Sequence, residues 1–263
     1  MNKHYIEELT VKLKQSGAEE DYINKCVQYA HKLLESEMPV IFNGTHLSLL
    51  LGINITDLIN FAYCDRGLVY SSFFIPKKAG GQRELNAPCL VLKYIQRWIL
   101  DNILINMHVS KYCTGFQRKT SILTNANYHL NKKCIINLDI KDFFPSISSK
   151  DVYRLFRYYG YSVEVSNLLS RLCTYNEALP QGSPASPMLS NVRCLKMDKR
   201  LGLLAEQYGA TYSRYADDIT LSSDNDIAEI VIIAEKIIND EGFTINNKKT
   251  RVLYSHQKQE VTG

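Results

Sequence analysis

Residues 211–223 read TYSRYADDITLSS, two strand-like runs separated by Ala216, Asp217 and Asp218. β-Branched and aromatic residues favour strands, and a tight connection presents its polar residues at one end of the sheet. The stretch predicts a hairpin with adjacent carboxylates at its tip. An Asp pair alone is also the composition of an ordinary solvated turn. A second element weighs against that reading. In CIINLDIKDFFPSI (134–147), Ile135, Ile136 and Leu138 form an apolar strand that delivers Asp139 at its end. Two elements then supply three acids, the hard oxygen donors that Mg²⁺ prefers while keeping positions for water and substrate phosphate. Two such ions about 4 Å apart stabilise the attacking and leaving oxygens of an in-line phosphoryl displacement.

With 263 residues, 45% of them hydrophobic, the chain can bury a substantial core in one large domain or two closely packed ones. No apolar run reaches membrane-spanning length, and the start MNKHYIEELT lacks the apolar core of a signal peptide, so a cytoplasmic protein is expected. The seven cysteines are scattered without a Cys-x-x-Cys pair, which argues against a zinc site or disulfide scaffold. A net charge of +4 does not identify a nucleic-acid binder. Its distribution says more. Lys77, Lys78 and Arg83 surround Gly80-Gly81; Arg193, Lys196, Lys199 and Arg200 form a second cluster; Lys248, Lys249 and Arg251 form a third. Each can contact phosphates or simply solvate a face.

Along the chain, helical periodicity covers about 5–34 with a break at Gly17. Thr45 is expected to cap a helix through Leu51, and a second helix runs from Thr56 to Tyr63. That pair resembles a helix-turn-helix, but its second helix is short and apolar, without side chains to read base edges. Strands at 73–75 and 83–86 flank the PKKAGGQ turn, whose glycines permit positive φ and close approach of a ligand. A stripe of Val91, Ile95, Trp98, Ile99 and Leu104 predicts a helix ending near Met107, with Trp98 in the core. Further helices are expected near Ser121–Ala126, after Ser148 or Ser149, and over 166–173, 188–207 and 227–240, with a last strand at 243–246. The mixture predicts an α+β fold around an antiparallel sheet.

Four motifs in order, LDIKDFFPSI (138–147), LPQGSPASPMLSN (179–191), YADD (215–218) and GFTINNKKT (242–250), resemble the palm of reverse transcriptases, and IPKKAGGQRELNAP (75–88) resembles their fingers. Asn125-Ala-Asn-Tyr-His129 and Val261-Thr262-Gly263 resemble the N-A-x-x-H and V-T-G signatures of bacterial retron enzymes. The likeness covers roughly residues 70–263. It implies a right-hand polymerase with a helical region over 1–70, fingers over 71–134 and a palm over 135–263 mixed with fingers helices around 150–190; the family's thumb is not contained in this sequence.

The resemblance implies an RNA-directed DNA polymerase that copies a structured noncoding RNA. Its partners would be an RNA template and primer, the cDNA product, deoxyribonucleoside triphosphates and an effector protein in antiviral defence, with no membrane. Asp139, Asp217 and Asp218 would hold two Mg²⁺ ions. Lys77, Lys78 and Arg83 would contact the triphosphate, Gln181 and Gly182 the nucleotide, and Lys249 the leaving pyrophosphate. Phe144 would exclude a 2′-hydroxyl, with Phe143 on the opposite side of the strand. Asn125, His129, Val261, Thr262 and Gly263 would recognise RNA. Two alternatives stand beside this reading: another bacterial reverse transcriptase, of group II intron or defence type, and a non-catalytic RNA-binding scaffold.

Overall fold

The computed structural model describes residues 2–76 and 80–262. In chain order its elements are α1 (Asn2–Gln15), α2 (Glu20–Glu35), α3 (Gly44–Leu51), α4 (Ile55–Tyr63), β1 (Tyr70–Pro76), β2 (Gln82–Pro88), α5 (Leu90–Asn102), α6 (Ile122–Asn127), β3 (Cys134–Asp139), α7 (Ser149–Tyr158), α8 (Val163–Cys173), α9 (Ser186–Arg193), α10 (Leu195–Gln207), β4 (Thr211–Tyr215), β5 (Asp218–Ser223), α11 (Ile230–Asp240) and β6 (Arg251–Tyr254). They divide into two compact units, Met1–Met107 with Ser148–Ala185, and His108–Ile147 with Ser186–Gly263. The fingers segment expected over 71–134 is thus split at Met107. The reason is pairing: Arg214 N donates to Tyr112 O and Thr114 N to Arg214 O, which ties 112–114 to β4.

The first unit is a helical assembly with one hairpin. Asn43 caps α3 by accepting from His46 N, so the cap lies two residues before the expected Thr45; Asn54 caps α4 through Thr56 N. Both helices pack on α8, with Leu47 and Leu58 buried. In α5 the inward stripe is Leu92, Ile95, Gln96 and Ile99, which leaves Trp98 half-buried and Val91 exposed. The expected core tryptophan is corrected by one step of helical phase. Gln96 enters the core because its amide donates to Tyr70 Oη and Leu172 O, each at 2.8 Å. β1 and β2 pair from Tyr70↔Pro88 to Pro76↔Gln82. Ser148 starts α7 with a capping box to Asp151.

The second unit is built on an antiparallel sheet of order β4-β5-β3-β6. β3 is central and almost wholly buried, as its apolar run requires. The expected strand over 243–246 makes only a bridge, Ile140↔Ile245, and β6 supplies the ladder instead, opposite 134–137. Buried Phe243 and Ile245 alternate as strand residues do, but they lie beside the chain that continues past β3: Lys141 N donates to Thr244 O and Asn246 N to Asp139 O. The single helix expected over 188–207 is two, α9 and α10, separated at Cys194. Five of the seven cysteines are buried and all are free thiols. Among the described residues no helix is long and apolar enough to cross a membrane.

Candidate active site

Asp139 ends β3, Asp218 begins β5, and the antiparallel register places them directly opposite one another. Ala216 and Asp217 form the two-residue connection between β4 and β5, closed by the pair Tyr215↔Asp218. Ala216 has φ +58°. A positive φ at the first connecting residue belongs to the primed turns whose twist matches the flanking strands. Ile140 N donates to Asp217 O at 3.0 Å, which ties the hairpin tip to the end of β3. The sheet thus gathers the three expected acids at one end.

Their charges interact. Asp139 is 6% exposed, and its Oδ2 accepts from Lys249 Nζ at 2.6 Å. That bond, reinforced by the other two acids, raises the lysine above its ordinary value. Burial, followed by repulsion from Asp217 and Asp139, pushes the Asp218 carboxyl up to about 6 against the opposing pull of Lys249. Lys249 places a cation directly on Asp139, and a divalent ion would relieve the repulsion among the acids further. Among the described residues no three or more Asp, Glu, His or Cys side chains are grouped so as to hold a metal ion together. An open cluster of carboxylates still suits Mg²⁺, which binds through one or two of them and retains waters or substrate phosphates. A cleft of about 250 Å³ adjoins the acids, with Lys249, Arg251, Glu260 and Thr262 among its walls.

Phe143 and Phe144 lie in the turn that follows β3 and not on a strand, so strand alternation is not what separates them. Phe143 is buried against Phe243, ring centroids 6.0 Å apart. Phe144 is half-buried and reaches Phe116 at 6.1 Å, which in turn neighbours Tyr215 at 6.4 Å.

In the first unit, Asn86 N donates to Gln181 O at 2.7 Å, which sews the Gln-Gly segment onto β2. Gly182 has φ +131°, and a Cβ there would lie 2.7 Å from Asn86 O, so the position accepts glycine alone. Arg83 is exposed on β2, and Gly80 and Gly81 both have positive φ, as the turn reading expects. Lys77 and Lys78 lie outside the described residues, as does Gly263.

The two RNA signatures differ from expectation. Asn125 and His129 are both buried. Asn125 Oδ1 accepts from Thr114 Oγ1 at 2.6 Å, while its Nδ2 donates to Thr262 Oγ1 at 2.7 Å. His129 bonds Ser222 Oγ through Nδ1 and Ser213 Oγ through Nε2, each at 2.7 Å. Direct RNA contact by these two side chains is corrected: their polar atoms are consumed inside the unit. Val261 and Thr262 are half-buried at its surface.

Sequence reasoning missed Arg214 and Asp198, both fully buried behind the hairpin. A signal existed. Arg214 shares strand parity with inward Tyr212, and Asp198 lies three and seven positions before the buried Leu201 and Ala205 of α10.

Comparison with known proteins agrees with this geometry. A model of the family described as reverse transcriptase (RNA-dependent DNA polymerase) matches residues 75–263. The chain is 36% identical over 231 residues to the Retron Ec86 reverse transcriptase of Escherichia coli, covering 86% of this chain and 72% of that protein. It is 36% identical to the Retron Mx162 reverse transcriptase of Myxococcus xanthus, over 82% of this chain and 52% of the relative. For the Retron Mx65 reverse transcriptase of the same organism the identity is 35%, over 86% and 58%. This chain therefore spans little more than half of the two Myxococcus proteins. A sheet that gathers three acids, a family match over most of the chain and these relatives converge: the chain belongs to the reverse transcriptase family and is of the retron type.

Proposed function

We propose that this chain carries the polymerising centre of a retron reverse transcriptase, an RNA-directed DNA polymerase whose template is a structured noncoding RNA. The observation that carries the reading is the Asp139–Asp218 register pair, with Asp217 at the adjoining turn and Lys249 on Asp139. Asp139, Asp217 and Asp218 would hold two Mg²⁺ ions, which when bound stabilise charge on the attacking and leaving oxygens of the phosphoryl transfer. The side chains themselves position and compensate charge, and none of the acids has to act as a general base. Lys249, an exposed ammonium anchored on Asp139, is suited to meet the charge of the departing pyrophosphate. The half-exposed ring of Phe144 supports its assignment as the barrier to a 2′-hydroxyl.

In the first unit, Arg83, with its planar fork, and the Gln181-Gly182 backbone are assigned to the incoming nucleotide, together with Lys77 and Lys78. The first unit corresponds to fingers and the second to palm. Primer, cDNA and an effector protein complete the partners that the retron type implies. The test is nucleotide incorporation on a primed RNA template with Mg²⁺. Asp139→Asn and Asp217→Asn should abolish extension while RNA binding persists, because phosphate contacts lie elsewhere. Near-normal extension by either variant would remove the proposed centre; Mg²⁺-independent RNA binding without incorporation by the wild type would favour the scaffold.

A further inference from the structure

Behind the Ala216–Asp217 turn lies a side-chain network that the proposed chemistry does not use. Arg214 and Asp198 are both 0% exposed. Arg214 Nε donates to Asp198 Oδ1 at 2.7 Å and Nη2 to Oδ2 at 2.8 Å, a bidentate clamp. Nη1 donates to the Ala216 carbonyl at 3.0 Å and to Asn191 Oδ1 at 3.3 Å. Asp198 is itself oriented by Tyr212 Oη, which donates to Oδ1 at 2.7 Å. Asn191 Nδ2 donates to Gly115 O at 2.9 Å, and a Cβ on residue 115 would lie 2.5 Å from Ala216 N.

Two physical points indicate what the network is for. A buried ion pair gives little net stability relative to apolar side chains of the same volume, because desolvation offsets the attraction. Its benefit has to be sought in geometry. Ala216 is held at φ +58°, a conformation costly for a residue with a Cβ and kept only where the surroundings over-determine it. The Arg214–Ala216 bond fixes the carbonyl of the very peptide that leads into Asp217, while Ile140 N fixes the next carbonyl. Both carbonyls of the turn are thus engaged by protein donors.

We propose that Arg214, clamped by Asp198 and Asn191, is a positioning residue of the polymerising centre. It sets the plane of the Ala216–Asp217 peptide, and with it the direction in which Asp217 and Asp218 present their carboxylates to a divalent cation. The inference rests on the reading of those acids as cation ligands. A network that merely joined α10 to the sheet would be replaceable by apolar side chains with no effect at the turn.

The experiment compares wild type, the double variant Arg214→Met/Asp198→Leu, which removes both buried charges together, and Arg214→Lys, which keeps the charge but cannot reach Asp198 and the Ala216 carbonyl at once. Unfolding midpoints report folding, amide hydrogen exchange over 214–219 without metal reports the turn, Mn²⁺ titration followed by electron paramagnetic resonance reports cation capture, and primer extension gives kcat and KM. Either folded variant should show faster exchange across the turn, Mn²⁺ affinity weakened about 10–100-fold and kcat lowered to a similar extent, with KM for the nucleotide little changed. Wild-type exchange and wild-type Mn²⁺ affinity in a folded variant would overturn the positioning role. If the double variant does not fold, Arg214→Lys decides by the same readings. Wild-type protein that captures no Mn²⁺ would instead refute the acids as ligands, and the purpose given to Arg214 with them, an outcome recognisable because it appears before any substitution.

Discussion

Asn125 Nδ2 donates to Thr262 Oγ1 at 2.7 Å, so two short sequence signatures 137 residues apart form one hydrogen-bonded unit. The segment that carries Thr262 is fastened further by Asn137 Nδ2 on Glu260 O at 2.8 Å and by Gln259 Nε2 on Lys132 O at 3.0 Å. Glu260 and Thr262 also line the cleft beside the acids. The signatures act first on structure.

Thr262→Val keeps the shape but leaves the Asn125 donor without its acceptor, at a cost of about 1–3 kcal/mol. The urea midpoint should fall at unchanged slope, and extension should decline together on the cognate RNA and on a generic annealed primer. Loss confined to the cognate RNA would reinstate direct recognition by this segment.

His129 offers a pH test. Burial, with Lys132 adding to it, depresses its pKa to about 4, so the neutral ring is the folded form. A depressed pKa means that the unfolded chain binds the proton first: stability is complete above about 6.5 and is lost progressively toward pH 4. At pH 5 this term amounts to about 2 kcal/mol. Chemical denaturation at pH 7.5 and 5 should show that loss in wild type, and a smaller one in His129→Gln. Equal losses in both would exclude His129 as the source.

Phe143→Ala removes a ring buried against Phe243 and should cost about 3–5 kcal/mol. Phe144→Ala, at a half-exposed ring, should cost less and should raise ribonucleotide use relative to deoxyribonucleotide use. Competition between the two substrates on one primed template measures it; relaxed sugar choice in a folded Phe143→Ala protein alone would reverse the assignment.

Gly182→Ala combines an unfavourable positive φ with a 2.7 Å approach to the Asn86 carbonyl, and the atoms it would meet, from Asn86 and Ala87, are all backbone. The loop should part from β2, with a loss of about 1–3 kcal/mol in stability and a rise in nucleotide KM larger than the change in kcat. A KM at the wild-type value would separate this loop from nucleotide binding.

Much of the second unit could be read from the chain, because the Tyr215–Asp218 hairpin and the apolar approach to Asp139 are local patterns with a period of two. Ser148 and Gly17 marked helix boundaries for equally local reasons. What escaped depended on distant partners. Asn125 and His129 look like surface residues until Ser213, Ser222 and Thr262 arrive to satisfy them. Phe243 and Ile245 alternate identically in a strand and in a single bridge. Arg214 reads as one more basic residue unless its inward parity on the strand is matched to an acid on the apolar face of a helix.

The central place of β3 sets a timetable for synthesis. Its ladder partners are β5 and β6, both translated after it, whereas the last segment of the first unit is finished at Ala185. A nascent chain therefore exposes the apolar run CIINLD with both edges unpaired until β5 is made and with one edge still open until Tyr254 has left the ribosome, an interval on the order of ten seconds at about 5–20 residues per second. Such a strand is a template for pairing with the wrong neighbour. Yield of native protein should accordingly respond to chaperone supply and growth temperature more than a comparison of finished-state stabilities would suggest.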